Sequence, residues 1–256
     1  MDALSFALPD FRPGWCWLAG AGPGDPGLLT LLALHALRHA DVIVTDALVD
    51  ERILTLARPG GVVESLGKRG GRPSPKQSEI SARLVDLTRQ GLRVLRLKGG
   101  DPLLFGRGAD EALALAEAGL PFRIVPGITA GIGGLAYAGI PATAGETNGA
   151  VTFLTGHGPD GGLPALDWAG LARLPVLVVY MAMKPLPLIT ARLMAEGRPG
   201  DEPAAVVSRA ATPRQQVVES SLAEIAAVAR RNGIEAPALL VVGEVVRLRR
   251  HLNWNE

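Results

Sequence analysis

The chain has 256 residues, 48% of them hydrophobic, and a formal charge of +1 at neutral pH. That apolar content excludes a largely disordered chain, and the length allows one large domain or two small ones, each with its own core. The balanced charge argues against generic nucleic-acid binding, and the single Cys16 excludes an intrachain disulfide or a cysteine metal cluster and fits a reducing cytoplasm.

Residues 1–14 carry little pattern and are expected to form a flexible arm. They lack a basic start followed by an apolar run, so no signal peptide is expected. "WCWLAG" (15–20) reads as a first strand. "LLTLLALHALRHA" (28–40) reads as a well-buried helix, and His35 and Arg38 interrupt it too soon for a membrane span. A cytoplasmic protein with no membrane and no nucleic-acid partner is expected. Strands follow at "DVIVTD" (41–46), "GVVESLG" (61–67), "LRVLRLKGGDP" (92–102) and "FRIVPG" (122–127). Helices fall between them at "ERILTLA" (51–57), "SEISARLVDLTRQG" (78–91) and "ADEALALAEAG" (109–119). This alternation predicts a mostly parallel sheet with right-handed crossovers. Ligands of such sheets sit at the carboxyl ends of the strands. The loops of interest are therefore 20–27, 46–49, 67–77, 98–108 and 126–130.

The second half reads differently. Strands are predicted in "AVTFLTGH" (150–157), "PVLVVYMAM" (175–183), "PAAVVSRA" (203–210), "QQVVESS" (215–221) and "ALLVVGEVV" (238–246). Residues 204–209 and 215–220 are separated by a short turn containing Pro213, which predicts an antiparallel hairpin and hence a mixed sheet. The fold class is thus α/β, with two α/β domains at 15–127 and 128–256.

The first strand-end loop carries Gly20, Gly22, Gly24 and Gly27; the last three have the G-x-G-x-x-G spacing of a dinucleotide site, but proline fills two of the positions between them. No Lys-Ser or Lys-Thr pair follows, so it is not a phosphate-cradling loop. Pro23 and Pro26 remove two backbone donors. Such a loop suits a ligand without polyphosphate, or is simply a tight turn. The later loops add Gly99, Gly100 and Asp101, then Arg107 between two glycines, then Thr129 at a helix start. Three glycine-bearing turns at the strand ends of one sheet exceed what folding requires. Lys68, Arg69, Arg72 and Lys76 form a basic run with no acid among them. Asp110 and Glu111 read as a charge complement to a helix N-terminus, and His157 as a structural residue or a substrate contact. Asp46 lies at about the distance from the first loop where a Rossmann fold places its ribose-binding acid, which keeps an NAD-dependent oxidoreductase as an alternative.

Taken together, "LAGAGPGDPGLLT" (18–30, with Ala19 where valine is common), "GKRGG" (67–71), "RLKGGDPLLFGRG" (96–108), "VPGITAG" (125–131) and "TGH" (155–157) resemble the tetrapyrrole methylases over roughly residues 15–250. The resemblance implies two α/β domains with an active-site cleft between them and a homodimer. It implies S-adenosylmethionine (SAM) as cofactor, S-adenosylhomocysteine as its product, and no metal. The implied reaction methylates carbons 2 and 7 of the tetrapyrrole uroporphyrinogen III, giving precorrin-2. The implied cofactor contacts are Pro23, Gly99, Gly100, Asp101, Leu104, Thr129, Ala130, Met181 and Ala210. Asp46 and Lys68 match positions of a proton acceptor and a proton donor, and Arg107 matches an arginine that acts on the substrate. A guanidinium stays charged up to a pKa of roughly 12, so Arg107 is read as an anchor for a substrate carboxylate rather than as a base. The basic run 68–76 is read as part of the mouth that meets the substrate's carboxylates.

One stretch departs from the family pattern. Where members of this type read "GIPLTHRD", this chain reads "GIPATAGETNGAVTF", with Ala144 and Gly145 at the His and Arg positions. One carboxylate anchor is then missing, and another precorrin methylase or a non-catalytic tetrapyrrole-binding relative stands as an alternative. The chain has no extension matching the dehydrogenase and ferrochelatase parts fused to some relatives, so methyl transfer alone is expected.

Overall fold

In the computed structural model, which describes residues 6–66, 76–145, 147–158 and 161–255, the chain forms two compact units, Met1–Thr129 and Ala130–Glu256.

The N-terminal unit runs β1 (Cys16–Gly20), α1 (Leu31–His39), β2 (Val42–Thr45), α2 (Glu51–Leu54), β3 (Val62–Ser65), α3 (Gln77–Arg89), β4 (Val94–Lys98), α4 (Gly108–Glu117) and β5 (Phe122–Val125). Its strands pair in the order β3-β2-β4-β1-β5, all parallel. Strands β1, β2 and β4 are buried along their whole length, which is why β1 and β2 read as near-continuous apolar runs, while β4 carries Arg96 and Lys98 among its apolar residues. Side chains alternate between two cores. Trp17, Ala19, Ile43, Leu95 and Leu97 pack with Ala33, Ala36 and Leu37 of α1. Cys16, Leu18, Val42, Val44 and Val94 pack with Leu84 and Leu87 of α3 and Leu115 of α4. Adjacent strands β1 and β4 send their connections in opposite directions, β1 toward β2 and β4 toward β5. That is the switch point of an open sheet, where a crevice forms beyond the strand ends.

Within the expected arm, 1–14, one side chain packs on the core. Phe11 is buried and its ring stacks on Trp17 at 4.6 Å between centroids. Burying that ring ties the arm to the core from there onward.

The C-terminal unit runs α5 (Ala130–Tyr137), β6 (Thr152–Thr155), α6 (Trp168–Leu171), β7 (Leu177–Tyr180), α7 (Leu186–Ala195), β8 (Pro203–Ser208), β9 (Gln216–Ser221), α8 (Ile225–Arg231), β10 (Ala238–Val242) and α9 (Arg249–Leu252). The sheet order is β6-β7-β10-β8-β9. Strands β6 and β7 are parallel and every other pairing is antiparallel, so the sheet is mixed. The predicted hairpin is β8–β9, in register from Pro203 against Ser221 to Ser208 against Gln216. Helices α7 and α8 cover one face through Ile189, Leu193, Ile225 and Ala229. The other face packs against Leu135 of α5 and against Val245 and Val246. Those two valines were expected to continue the last strand. Instead the chain turns at Gly243, where a Cβ would lie 2.6 Å from the Pro175 carbonyl oxygen, and a 3-10 helix (Glu244–Leu248) folds them under the sheet.

Among the described residues, no helix is long and apolar enough to cross a membrane. None of their His, Cys, Asp or Glu side chains gather in threes as a metal site would require.

Candidate active site

The three glycine-bearing loops of the N-terminal unit meet backbone to backbone at the switch point. Gly22 N–H donates to the Gly100 carbonyl at 3.2 Å, Gly100 N–H returns a bond to the Gly22 carbonyl at 2.8 Å, and Ala21 N–H donates to the Lys98 carbonyl at 2.7 Å. A Cβ on Gly20 would meet the Gly100 carbonyl oxygen and, at 2.6 Å, the Gly127 Cα. Only glycine permits this approach. The Asp101 carboxylate completes the junction, accepting from Leu103 N–H at 2.8 Å and from Gly127 N–H at 3.0 Å. One of its oxygens braces its own loop and the other ties that loop to Gly127, before either can face a ligand. Pro23 follows the junction. Asp25 then caps a 3-10 turn (Pro26–Leu28) by accepting from Gly27 N–H at 2.7 Å.

Asp46, just past β2, joins the same edge. Its carboxylate accepts from Leu48 N–H at 2.9 Å and, more weakly, from Gly99 N–H at 3.4 Å. The bond to Gly99 brings the candidate base beside the candidate cofactor loop. Leu48, Leu103 and Phe105 expose their side chains on the loops after β2 and β4, and Leu104 is half-buried. Phe105 and Arg107 hold left-handed backbone, with φ of 53° and 57°. Non-glycine residues rarely adopt this conformation, and it persists only where the surroundings enforce it. The Arg107 side chain is exposed, and its Nε and Nη2 reach Asp110 Oδ2 at 2.9 and 2.8 Å. A substrate carboxylate bound by Arg107 would compete with or join Asp110. Lys68, Arg69 and Arg72 lie outside the described residues. Lys76 starts α3, its N–H donating to the Glu79 carboxylate at 3.0 Å.

Beneath the loop lies a charged cluster that the sequence reading did not anticipate. Glu111, expected to serve only as a helix-terminus charge, is fully buried. Its Oε1 accepts from Arg96 Nε at 3.0 Å, Lys98 Nζ at 3.0 Å and Gln77 Nε2 at 3.1 Å. Burial, reinforced by the Arg96 charge, pushes the Lys98 ammonium pKa down from its ordinary value, against the pull of Glu111. The available sequence signal was two basic residues at alternate positions of a buried parallel strand. Such a pattern requires an internal acid.

The C-terminal unit gathers its own candidates at one sheet edge. Strands β6, β7 and β8 all end there, because β10 runs antiparallel to both β7 and β8. Tyr180, at the end of β7, accepts a bond through its hydroxyl from Gly131 N–H at 2.7 Å, which docks α5 on the sheet. Ala210 packs on the same helix, since a Cβ on Gly134 would lie 2.6 Å from the Ala210 Cβ. Met181 follows Tyr180 with φ of 53° and an exposed side chain. Ala130 opens α5, and Thr129 ends the preceding unit. His157 is exposed past β6, with Nδ1 3.2 Å from the Gly158 carbonyl oxygen. The departing stretch is organised by buried Asn148. It accepts from Ala144 N–H at 3.1 Å and donates to the Ala142 and Ala150 carbonyls at 3.0 and 2.8 Å. Ala144 and Gly145 contribute no cation to this turn.

The chain is similar to known proteins over most of its length. A profile of the tetrapyrrole (corrin/porphyrin) methylases matches residues 16–226. The chain is 62% identical over 256 residues to a uroporphyrinogen-III C-methyltransferase of Sinorhizobium sp., covering 99% of this chain and 91% of that one. It is 48% identical over 244 residues to a sirohaem synthase of Azotobacter vinelandii, covering 95% of this chain but only 52% of that one, so it spans about half of that relative. In structure it is similar to a uroporphyrin-III C-methyltransferase from Thermus thermophilus complexed with S-adenosylhomocysteine. That match has a TM-score of 0.78 and 40% identity, and covers 91% of this chain and 99% of that one.

Proposed function

The chain belongs to the tetrapyrrole (corrin/porphyrin) methylases, and from that premise we propose that it is a SAM-dependent C-methyltransferase. In this reading it converts uroporphyrinogen III to precorrin-2 by methylation at carbons 2 and 7, within cobalamin- or sirohaem-type tetrapyrrole synthesis. It works as a cytoplasmic homodimer.

The observation that carries this reading is the backbone junction of Gly20, Gly22, Gly100 and Gly127 at the switch point. It brings three loop backbones together with no side chain between them, and the first loop has no basic side chain of its own. Pro23 has no N–H to give. These features fit a cofactor with a positive sulfur and no phosphate. When bound, SAM supplies an electrophilic methyl group on that sulfur. Pro23, Gly99, Gly100, Asp101, Leu104, Thr129, Ala130, Met181 and Ala210 hold it in this reading.

The remaining work falls to the chain's own side chains. A methylated pyrrole carbon must lose a proton, and Asp46 is the carboxylate placed to take it. The N–H groups of Leu48 and Gly99 orient that carboxylate. Positioning supplies much of the rest, up to roughly 7–11 kcal/mol in favourable cases. Arg107 anchors a substrate carboxylate, and the apolar Leu48, Leu103 and Phe105 face the flat ring. Lys68 is assigned as the proton donor.

The test is incubation of the purified protein with SAM and enzymatically generated uroporphyrinogen III, followed by product mass and absorbance. Two added methyl groups are expected. One added methyl would place a defect in the second transfer. No transfer, with SAM still bound in calorimetry, would remove the substrate assignment and favour a non-catalytic role tied to Ala144 and Gly145.

A further inference from the structure

Glu111 connects segments that are distant in sequence but adjoin the same loops. Lys98 is the last residue of β4, immediately before the loop 99–107. Glu111 sits in the first turn of α4, immediately after that loop. Their contact at 3.0 Å closes the loop at its base. Gln77, at the start of α3, bonds the same Glu111 oxygen, so the helix that follows the basic run is tied to this point as well. The loop also rests on the lysine itself: a Cβ on Gly106 would lie 3.3 Å from Lys98 Cε.

Stability does not account for this arrangement. Two cations, Arg96 and Lys98, share one carboxylate oxygen, and all three side chains are almost wholly excluded from solvent. The other Glu111 oxygen has no hydrogen-bond partner among the described residues. Two buried cations on one carboxylate oxygen are costly, with Asp46 only a weaker counter-charge to Lys98, and an apolar side chain in place of such a charge is often neutral or stabilising. Arg96 alone would balance Glu111. The extra cation stands at the foot of a loop whose Phe105 and Arg107 hold disfavoured left-handed backbone, a conformation that needs enforcement from outside.

We propose that Lys98 is a positioning residue for methyl transfer. Its ammonium, clasped on Glu111, holds the loop 99–107 in the conformation that presents Arg107 and the apolar rim to the tetrapyrrole. The catalytic part of this inference rests on the function proposed above. Gly99 and Gly100 have separate supports in Asp46 and Gly22, so the clasp acts on the substrate side more than on the cofactor.

The test compares Lys98→Met and Lys98→Arg with the unaltered protein. In Lys98→Met, amide hydrogen exchange within 99–107 should quicken about tenfold while the rest of the N-terminal unit keeps its protection. The unfolding temperature should be unchanged or higher. SAM affinity should stay within about threefold, while kcat/KM for the tetrapyrrole falls about ten- to a hundredfold. Lys98→Arg, which keeps the charge, should recover most of that loss. The proposal is overturned if loop exchange in Lys98→Met matches the unaltered protein. It is equally overturned if protection is lost across the whole unit with a lowered unfolding temperature, because Lys98 would then be an ordinary structural residue. If the unaltered protein transfers no methyl group, the functional reading falls, and the exchange comparison, which needs no substrate, still decides the clasp.

Discussion

Gly20 and Gly127 approach so closely that a Cβ on the first would lie 2.6 Å from the Cα of the second. Neither backbone can yield without displacing a strand end. Gly20→Ala should therefore destabilise the protein by about 1–3 kcal/mol, the range for overpacked sites, and should weaken SAM binding by opening the junction. Denaturant unfolding and calorimetry on the same variant check both parts. Unchanged SAM affinity in a destabilised variant would separate the junction from the cofactor.

Asp46→Asn keeps an oxygen that can accept from Leu48 N–H and removes the negative charge. Turnover should fall about a hundredfold or more, the usual contribution of a general base, with SAM affinity nearly unchanged. Single-turnover kinetics beside calorimetry make the comparison. Loss of SAM binding in a well-folded Asp46→Asn protein would move Asp46 from the substrate to the cofactor.

Among the described residues Arg107 forms an ion pair only with Asp110, in an exposed position, so removing it should cost less than about 0.5 kcal/mol of stability. Arg107→Ala should raise KM for the polycarboxylate substrate about tenfold or more and reduce the salt dependence of kcat/KM. Asp110→Asn frees the guanidinium and should leave KM unchanged or lower. A higher KM in Asp110→Asn would mean that the pair, rather than the free arginine, recognises the substrate.

Cys16 is fully buried in β1, and burial first, then the nearby Glu111 charge, pushes its thiol pKa up to about 12. The folded chain then keeps its proton where the unfolded chain, with an ordinary thiol pKa of about 8.5, has lost it. Stability should fall as pH rises from the unfolded value toward the folded one. Thiol reagents at pH 8 should leave the native protein unlabelled and modify it in urea. Rapid labelling without denaturant would show that β1 opens.

Much of this protein could be read in its sequence because the signals are local. Alternating strands and helices, and the short Pro213 turn of the β8–β9 hairpin, reflect backbone rules acting within a few residues. The glycines at 20, 22, 99, 100 and 127 marked three loops correctly, since a close backbone approach excludes side chains wherever it occurs. Motif order then pointed to the family. Tertiary structure decided what distant residues do to one another. Asp101 was read as an implied cofactor contact, and its carboxylate first satisfies N–H groups on two loops. Glu111 was read as a charge complement to a helix N-terminus, yet packing of α3 and α4 on β4 buries it as the counter-charge of Arg96 and Lys98. Phe11 was placed in a loose arm, yet Trp17 stacks on it. Each case turns on a partner supplied from elsewhere in the chain, and a local sequence pattern, even where it calls for a partner as Arg96 and Lys98 do, does not say which residue that is.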